Sequence, residues 1–345
     1  MPKGWKVKSI PNSEVKPYLE NDVTNVREEL SDFREKSDEM NRLEVFVTEE
    51  PKKSLDNLVV SSSVRSRVET ALNQIHFHDV LYHEWNLQKI DPNGRRVAIN
   101  LFGPPGTGKS FCSEAIAHHL CKKIIKVNYA EIESKYVGET PKNITAAFAK
   151  ARETDSVLFF DEADSILGKR LTSVTQSADH GVNVSRSVML LQLDNFDGVV
   201  VFASNLPGNY DAAFVRRILA HVEFELPDSE CRMKLWDYLL PTEVPRARDI
   251  TSKWLTDQSE GLAGGDILSV VKLAASRAVA RTGEHQRLSK ADILDAIAQV
   301  RNSKERVGAF TNGHHKISVK EQDVSLDEIP PDAREQYESL THNPK

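Results

Sequence analysis

A short glycine-rich loop constrains this chain more than any other feature. Residues Gly103 to Ser110 read GPPGTGKS, directly after the apolar run Arg96 to Phe102 and at the head of a helical pattern from Lys109 to Leu120. This is G-x-x-x-x-G-K-[ST] between a strand and a helix, the context in which the pattern has physical meaning. Gly103, Gly106 and Gly108 let the backbone curl so that its N–H groups point inward, while Pro104, Pro105 and Thr107 complete the loop. The following helix directs the positive end of its dipole into the same space. Such a cradle takes the phosphates of a nucleotide. Lys109 reaches the β- and γ-phosphates, the Ser110 hydroxyl suits Mg2+, and Phe111 is counted with the same cradle.

The downstream segments alternate between strand and helix. A strand is expected around Ile124 to Asn128, a helix over Thr140 to Arg152, a very apolar strand VLFFD ending at Asp161, and another, VVVFASN, ending at Asn205. Continuously apolar strands separated by helix-length segments indicate a mainly parallel sheet covered on both faces. The expected fold is therefore α/β, a three-layer P-loop NTPase sandwich whose polar chemistry falls at the carboxyl ends of the strands. Upstream, Val64 to Ile75 reads as a helix. After Pro227 strand signals stop, and Ser229 to Leu240, Asp266 to Arg281 and Lys290 to Val300 read as helices, the last capped by Ser289. The expected domains are a polar N-terminal segment over 1–53, an α/β domain over 54–227, a small all-helical lid over 228–302 and a polar tail over 303–345. The first segment is either a recognition element or a flexible arm, with a helix expected around Val23 to Met40.

Two carboxylates end the VLFFD strand and its extension. Asp161, at a buried strand end beside the phosphate loop, suits the water shell of Mg2+, and Glu162 projects toward an attacking water as a general base. Asp164 either caps the next helix or takes a direct part in catalysis. Asn205, at the end of the neighbouring strand, can hold that water or sense the γ-phosphate.

Composition excludes some classes. With 39% hydrophobic and 28% charged residues the chain is neither fibrous nor wholly disordered, and 45 basic against 51 acidic residues, a formal charge of -6, argues against nonspecific coating of nucleic acid. Nothing approaches a membrane span, the start lacks a secretory apolar region, and a cytoplasmic setting is expected. Cys112, Cys121 and Cys231 form neither a metal cluster nor a disulfide framework; Cys112 and Cys121 fall in an apolar helical pattern and read as core.

These elements, in this order, resemble the AAA ATPases over about residues 54–302. KYVGET, Lys135 to Thr140, resembles the family's first pore loop, which implies that Lys135, Tyr136 and Val137 grip an extended polypeptide. The segment Asn209 to Asp228 resembles the second region of homology, in which Arg216 and Arg217 would be trans arginine fingers acting on a neighbouring subunit's γ-phosphate. GLAGGDI, Gly261 to Ile267, stands at the lid's GxSGAD-type motif, with Gly264 and Gly265 close to the nucleotide and Gly265 in place of the usual alanine. The family's adenine-side histidine falls near Leu239. Asp56, Asn57 and Leu58 are placed at the start of the adenine-contacting segment. The long polar stretch from Ile166 to Ser185 fits a second pore loop, where His180 reads as an ordinary exposed histidine. The paired arginines are similar to those of single-module remodellers in the filament-disassembling and microtubule-severing branch.

The resemblance implies an ATP- and Mg2+-dependent enzyme, ATP + H2O to ADP + phosphate. It further implies a homo-oligomer, a hexameric ring or spiral, that remodels, unfolds or disassembles a protein threaded through its pore, with nucleic acid unlikely as partner. The rival readings are a nucleic-acid-directed AAA motor or loader and a nucleotide-controlled scaffold with slow turnover.

Overall fold

The computed structural model describes residues 42–91, 97–132, 139–169, 177–205 and 210–311. Six strands form one sheet in the order β1-β3-β4-β5-β2-β6, where β1 is Thr48–Glu49, β2 Val97–Phe102, β3 Ile124–Asn128, β4 Val157–Asp161, β5 Val199–Ser204 and β6 Ala220–Glu223. The two-residue β1 runs antiparallel to β3 at one edge, and every other pairing is parallel. The mainly parallel sheet expected from the apolar runs is therefore the sheet observed.

Continuous apolar strands are buried on both faces because successive side chains point opposite ways. Ala98, Leu158, Phe160, Val200 and Phe202 turn to one core, where they meet Ile144, Phe148 and Ala151 of α3 (Glu139–Glu153) and Met189 and Leu193 of α4 (Ser177–Asp194). Ile99, Leu101, Val157, Phe159 and Val201 turn to the other, against Val68 and Leu72 of α1 (Ser62–His76) and Cys112 and Ile116 of α2 (Lys109–His119). Each fully buried aliphatic or aromatic side chain contributes about 1.5–3 kcal/mol, so the two cores dominate the stability of this layer. Phe46 joins the first core and Arg42 pairs with Glu139 at 2.6 Å, so the chain from Arg42 onward is docked on the sheet.

The helices that follow are α5 (Ser229–Leu239), the short helix Ser252–Gln258, α6 (Gly264–Val279) and α7 (Lys290–Thr311). Trp236 of α5 is buried and donates from Nε1 to Ser259 Oγ at 2.9 Å. Asp228 caps α5 by accepting from Cys231 N at 2.7 Å. Ser289 caps α7 as expected, accepting from Asp292 N at 3.3 Å while Asp292 accepts from Ser289 N at 2.9 Å, a reciprocal box. The compact unit that carries the sheet runs to Ala296, and a second unit starts at Ile297, inside α7.

Two expectations are corrected. Cys121 is exposed, with φ +53°, because α2 has already ended at His119; only Cys112 of that pair is core. Asp164 does not cap the short helix Asp164–Leu167, whose N-cap is Ala163; its carboxylate is engaged elsewhere. The expected helix at Val23 to Met40 and the pore-loop residues Lys135, Tyr136 and Val137 lie outside the described residues, as does the tail from residue 312.

Candidate nucleotide site

Strand register brings the predicted chemistry together. Pairing of Phe102 with Ser204 and of Phe160 with Phe202 levels the carboxyl ends of β2, β5 and β4, which carry Gly103, Asn205 and Asp161. Gly103 holds φ +137°, and a Cβ there would lie 2.1 Å from Phe224 O, so the first loop position admits only glycine. Gly106 and Gly108 also hold positive φ, at +76° and +104°.

These ends face a cleft of about 720 Å³. Pro105, Gly106, Thr107, Gly108, Lys109, Ser110 and Phe111 line it, together with Asn57, Leu58, Asp161, Glu162, Asn205, Gly264 and Gly265. Gly103, Pro104 and Asp56 are not among the lining residues. The carbonyls of Gly103 and Pro104 instead accept from Lys109 Nζ, each at 2.8 Å, and Asp56 is exposed. Burial lowers the Lys109 pKa, opposed by the negative charge of Asp161 and Asp164.

Ser110 Oγ donates to Asp161 Oδ2 at 3.1 Å, so the two proposed ion ligands are adjacent. An oxygen-only pair of hydroxyl and carboxylate beside a phosphate loop fits Mg2+, which binds through one or two such groups and keeps its waters. Glu162 follows with φ +53°, its backbone N–H held by Asp161 Oδ1 at 2.9 Å. Asp164 bridges to the next strand, accepting from Ser204 Oγ at 2.5 Å and from Asn205 N at 3.3 Å. Ser204 Oγ also lies 2.8 Å from the Tyr210 hydroxyl.

The start of α6 meets the phosphate loop by backbone contact. Gly265 N donates to Gly106 O at 3.0 Å, and a Cβ on Gly265 would stand 3.3 Å from Gly106 Cα, tight enough to press on the phosphate loop. The far wall is apolar, built from Leu58, Val64, Leu235, Tyr238, Leu239 and Leu268. Leu235, Tyr238 and Leu268 were not singled out in the sequence. Their signal was helical spacing: Cys231, Leu235, Tyr238 and Leu239 recur on one face of α5.

A second cavity, of about 500 Å³, lies beyond Ser110, Asp161 and Glu162 and is lined also by Lys53, Glu114, Lys126 and Glu131. Burial disfavours charge on Glu114, but hydrogen bonds from Lys52 N at 2.7 Å and Lys126 Nζ at 3.1 Å outweigh it and hold the carboxyl below its ordinary range.

Arg216 and Arg217 are not among the residues lining the cleft of their own chain. Arg217 is tied to Asp194 of α4 by two bonds, Nε to Oδ1 at 2.9 Å and Nη2 to Oδ2 at 2.8 Å, which raise its pKa. Arg216 is exposed and has no side-chain partner among the described residues.

Residues 99–226 match the family model described as ATPase family associated with various cellular activities (AAA). The chain carries an AAA ATPase domain. It is 32% identical to spastin of Ixodes scapularis, an alignment covering 59% of this chain and 33% of that protein. It is 30% identical to the proteasome-activating nucleotidase of Methanopyrus kandleri, covering 63% of this chain and 51% of the relative. It is 34% identical to the katanin p60 ATPase-containing subunit A1 of Strongylocentrotus purpuratus, covering 53% and 37%. The chain thus spans between a third and about half the length of these relatives. No described helix is long and apolar enough to cross a membrane.

Proposed function

We propose that this chain is a Mg2+-dependent ATPase that acts in the cytoplasm as a homo-oligomer, a hexameric ring or spiral, and uses hydrolysis to remodel a protein substrate. The observation that carries the reading is the single cleft in which the phosphate loop, Asp161, Glu162, Asn205 and the lid glycines converge while the paired arginines stand outside it.

In this reading the loop N–H groups and Lys109 hold the phosphates, and the Lys109 ammonium exchanges the carbonyls of Gly103 and Pro104 for phosphate oxygens. Ser110 and Asp161 hold the ion, which when bound supplies charge neutralisation on the β- and γ-phosphates. Glu162 polarises the attacking water, and Asn205 orients it. The apolar wall of Leu58, Leu235, Tyr238 and Leu239 takes the base, and Gly264 and Gly265 let the lid reach it. Arg216 and Arg217 reach the γ-phosphate of the next subunit, and Lys135, Tyr136 and Val137 grip the protein substrate.

The test is the ATPase rate per subunit against protein concentration, with particle mass measured by light scattering on the same Mg-ATP samples. The rate should rise as a hexamer-sized species appears. A concentration-independent rate in a persistent monomer would overturn the trans arrangement and leave the cleft assignment standing.

A further inference from the structure

Away from the cleft, the connection between α1 and β2 brings two imidazoles and a carboxylate together. Residues Val80–Glu84 form a single π-turn, closed by Trp85 N donating to Val80 O at 2.8 Å. His78 and Asp79 lead into this turn and His83 lies within it, which brings the three side chains together. Asp79 Oδ1 stands 3.6 Å from His78 Nδ1 and 3.8 Å from His83 Nε2, and one ligating atom from each of the three residues lies within 4.8 Å of the other two. Both distances are too long for hydrogen bonds. They are close to the ~3.4 Å edge of a tetrahedron whose corners sit ~2.1 Å from a central ion.

The surroundings hold this arrangement. The His78 ring stacks on Tyr82, centroids 4.6 Å apart and planes within 6°, and the Tyr82 hydroxyl donates to Asp91 Oδ2 at 3.2 Å. His78 is only 19% exposed, and among the described residues its Nδ1 faces Asp79 alone, at a distance that leaves this nitrogen open to a ligand, while Nε2 is buried.

We propose that His78, Asp79 and His83 are the ligands of a divalent transition-metal ion, with Zn2+ the chemistry they fit best. Two imidazole nitrogens and one carboxylate suit Zn2+, with water in the fourth position, whereas Mg2+ and Ca2+ favour all-oxygen shells. The ion ties the π-turn to the residues just before it. This site is independent of the nucleotide cleft and of its proposed chemistry.

The experiment is a Co2+ titration of the full chain, free of any histidine tag and stripped with chelator, in excess Mg2+ and ADP so that the nucleotide site is masked. One Co2+ per chain should bind at micromolar free metal with the visible absorption of a four-coordinate ion, and Zn2+ should displace it. Asp79 and His83 are 89% and 54% exposed, so Asp79→Asn and His83→Ala can be made without opening a core. Each should weaken binding at least about tenfold while leaving the metal-free melting curve unchanged. Absence of binding at micromolar metal, or binding that neither variant alters, overturns the proposal.

Discussion

Glu162 holds a left-handed backbone conformation, φ +53°, at the point where β4 ends. For a residue with a Cβ this costs of order 1–3 kcal/mol, and such strain gathers where chemistry needs a side chain aimed against local preference. Asp161 Oδ1 sustains it by accepting the Glu162 N–H at 2.9 Å. Two changes separate geometry from chemistry. Glu162→Gln should keep nucleotide binding and lower turnover by about 10²–10⁴-fold, the range for a lost general base; unaltered turnover would refute its role. Glu162→Gly should lower hydrolysis at least as much but melt no lower than the parent in calorimetry, because glycine tolerates the same φ. Its place just past the end of a buried strand was legible in the sequence, from the apolar run VLFFD that ends at Asp161. Its strain was not, because φ depends on how β4 meets β5. The engagement of Asp164 was hidden for the same reason: its partners, Ser204 and Asn205, are about forty residues away in the chain.

Elements carry these residues in pairs, and the link between β4 and β5 continues into the arginine-bearing segment. Tyr210 bridges to Gly168 as an isolated antiparallel pair, Asp211 N donates to Leu167 O at 2.9 Å, and Asp211 caps the short helix Ala212–Val215 that precedes Arg216. Tyr210 therefore joins the Asp164–Ser204 contact to the segment bearing the arginines. Tyr210→Phe keeps the ring, and with it the stacking on His221, but removes a hydroxyl worth about 1 kcal/mol. It should lower kcat by about three- to tenfold with little change in KM, read from steady-state ATPase assays. Between α6 and α7, Asp292 accepts from Arg281 at 2.9 and 2.6 Å and from Ser289, and the Arg281 guanidinium foremost draws its carboxyl down to about 2. A carboxyl depressed on folding stabilises at neutral pH and loses that contribution as pH falls from the ordinary aspartate value of ~3.9 toward the folded one. Urea melts should show Asp292→Asn less stable than the parent near neutrality, with the gap closing across that acid window. The strong periodic segments were legible, from α1 to the heads of α5 and α7, whereas β1 and β6 were not. β1 has two residues and β6 only one buried position, Val222, so neither bears the continuous apolar run that marks a central strand.

At the scale of the whole molecule, the cleft is short of positive charge for the reaction proposed. Its lining cations are Lys53 and Lys109, and no arginine is among its lining residues. A transferring phosphoryl group develops charge that a guanidinium is suited to meet, and such a finger supplies about 10³–10⁵-fold in rate where it has been measured. Arg217 is held by Asp194, so its removal breaks a half-exposed ion pair worth about 0.2–1 kcal/mol as well as any action across an interface. Arg216 is exposed and carries no such structural duty among the described residues. Arg216→Ala should therefore leave the melting temperature unchanged and lower assembled turnover by at least about a hundredfold, while Arg217→Ala lowers both. Mixing then distinguishes action within a subunit from action between subunits. Lys109→Ala and Arg216→Ala proteins should each be inactive alone. In a random equal mixture, about a quarter of head-to-tail interfaces would pair an intact phosphate loop with an intact arginine. Activity recovering toward that fraction requires the arginine to act on a neighbour's nucleotide, whereas a mixture as inactive as its components would place the missing charge within the same chain.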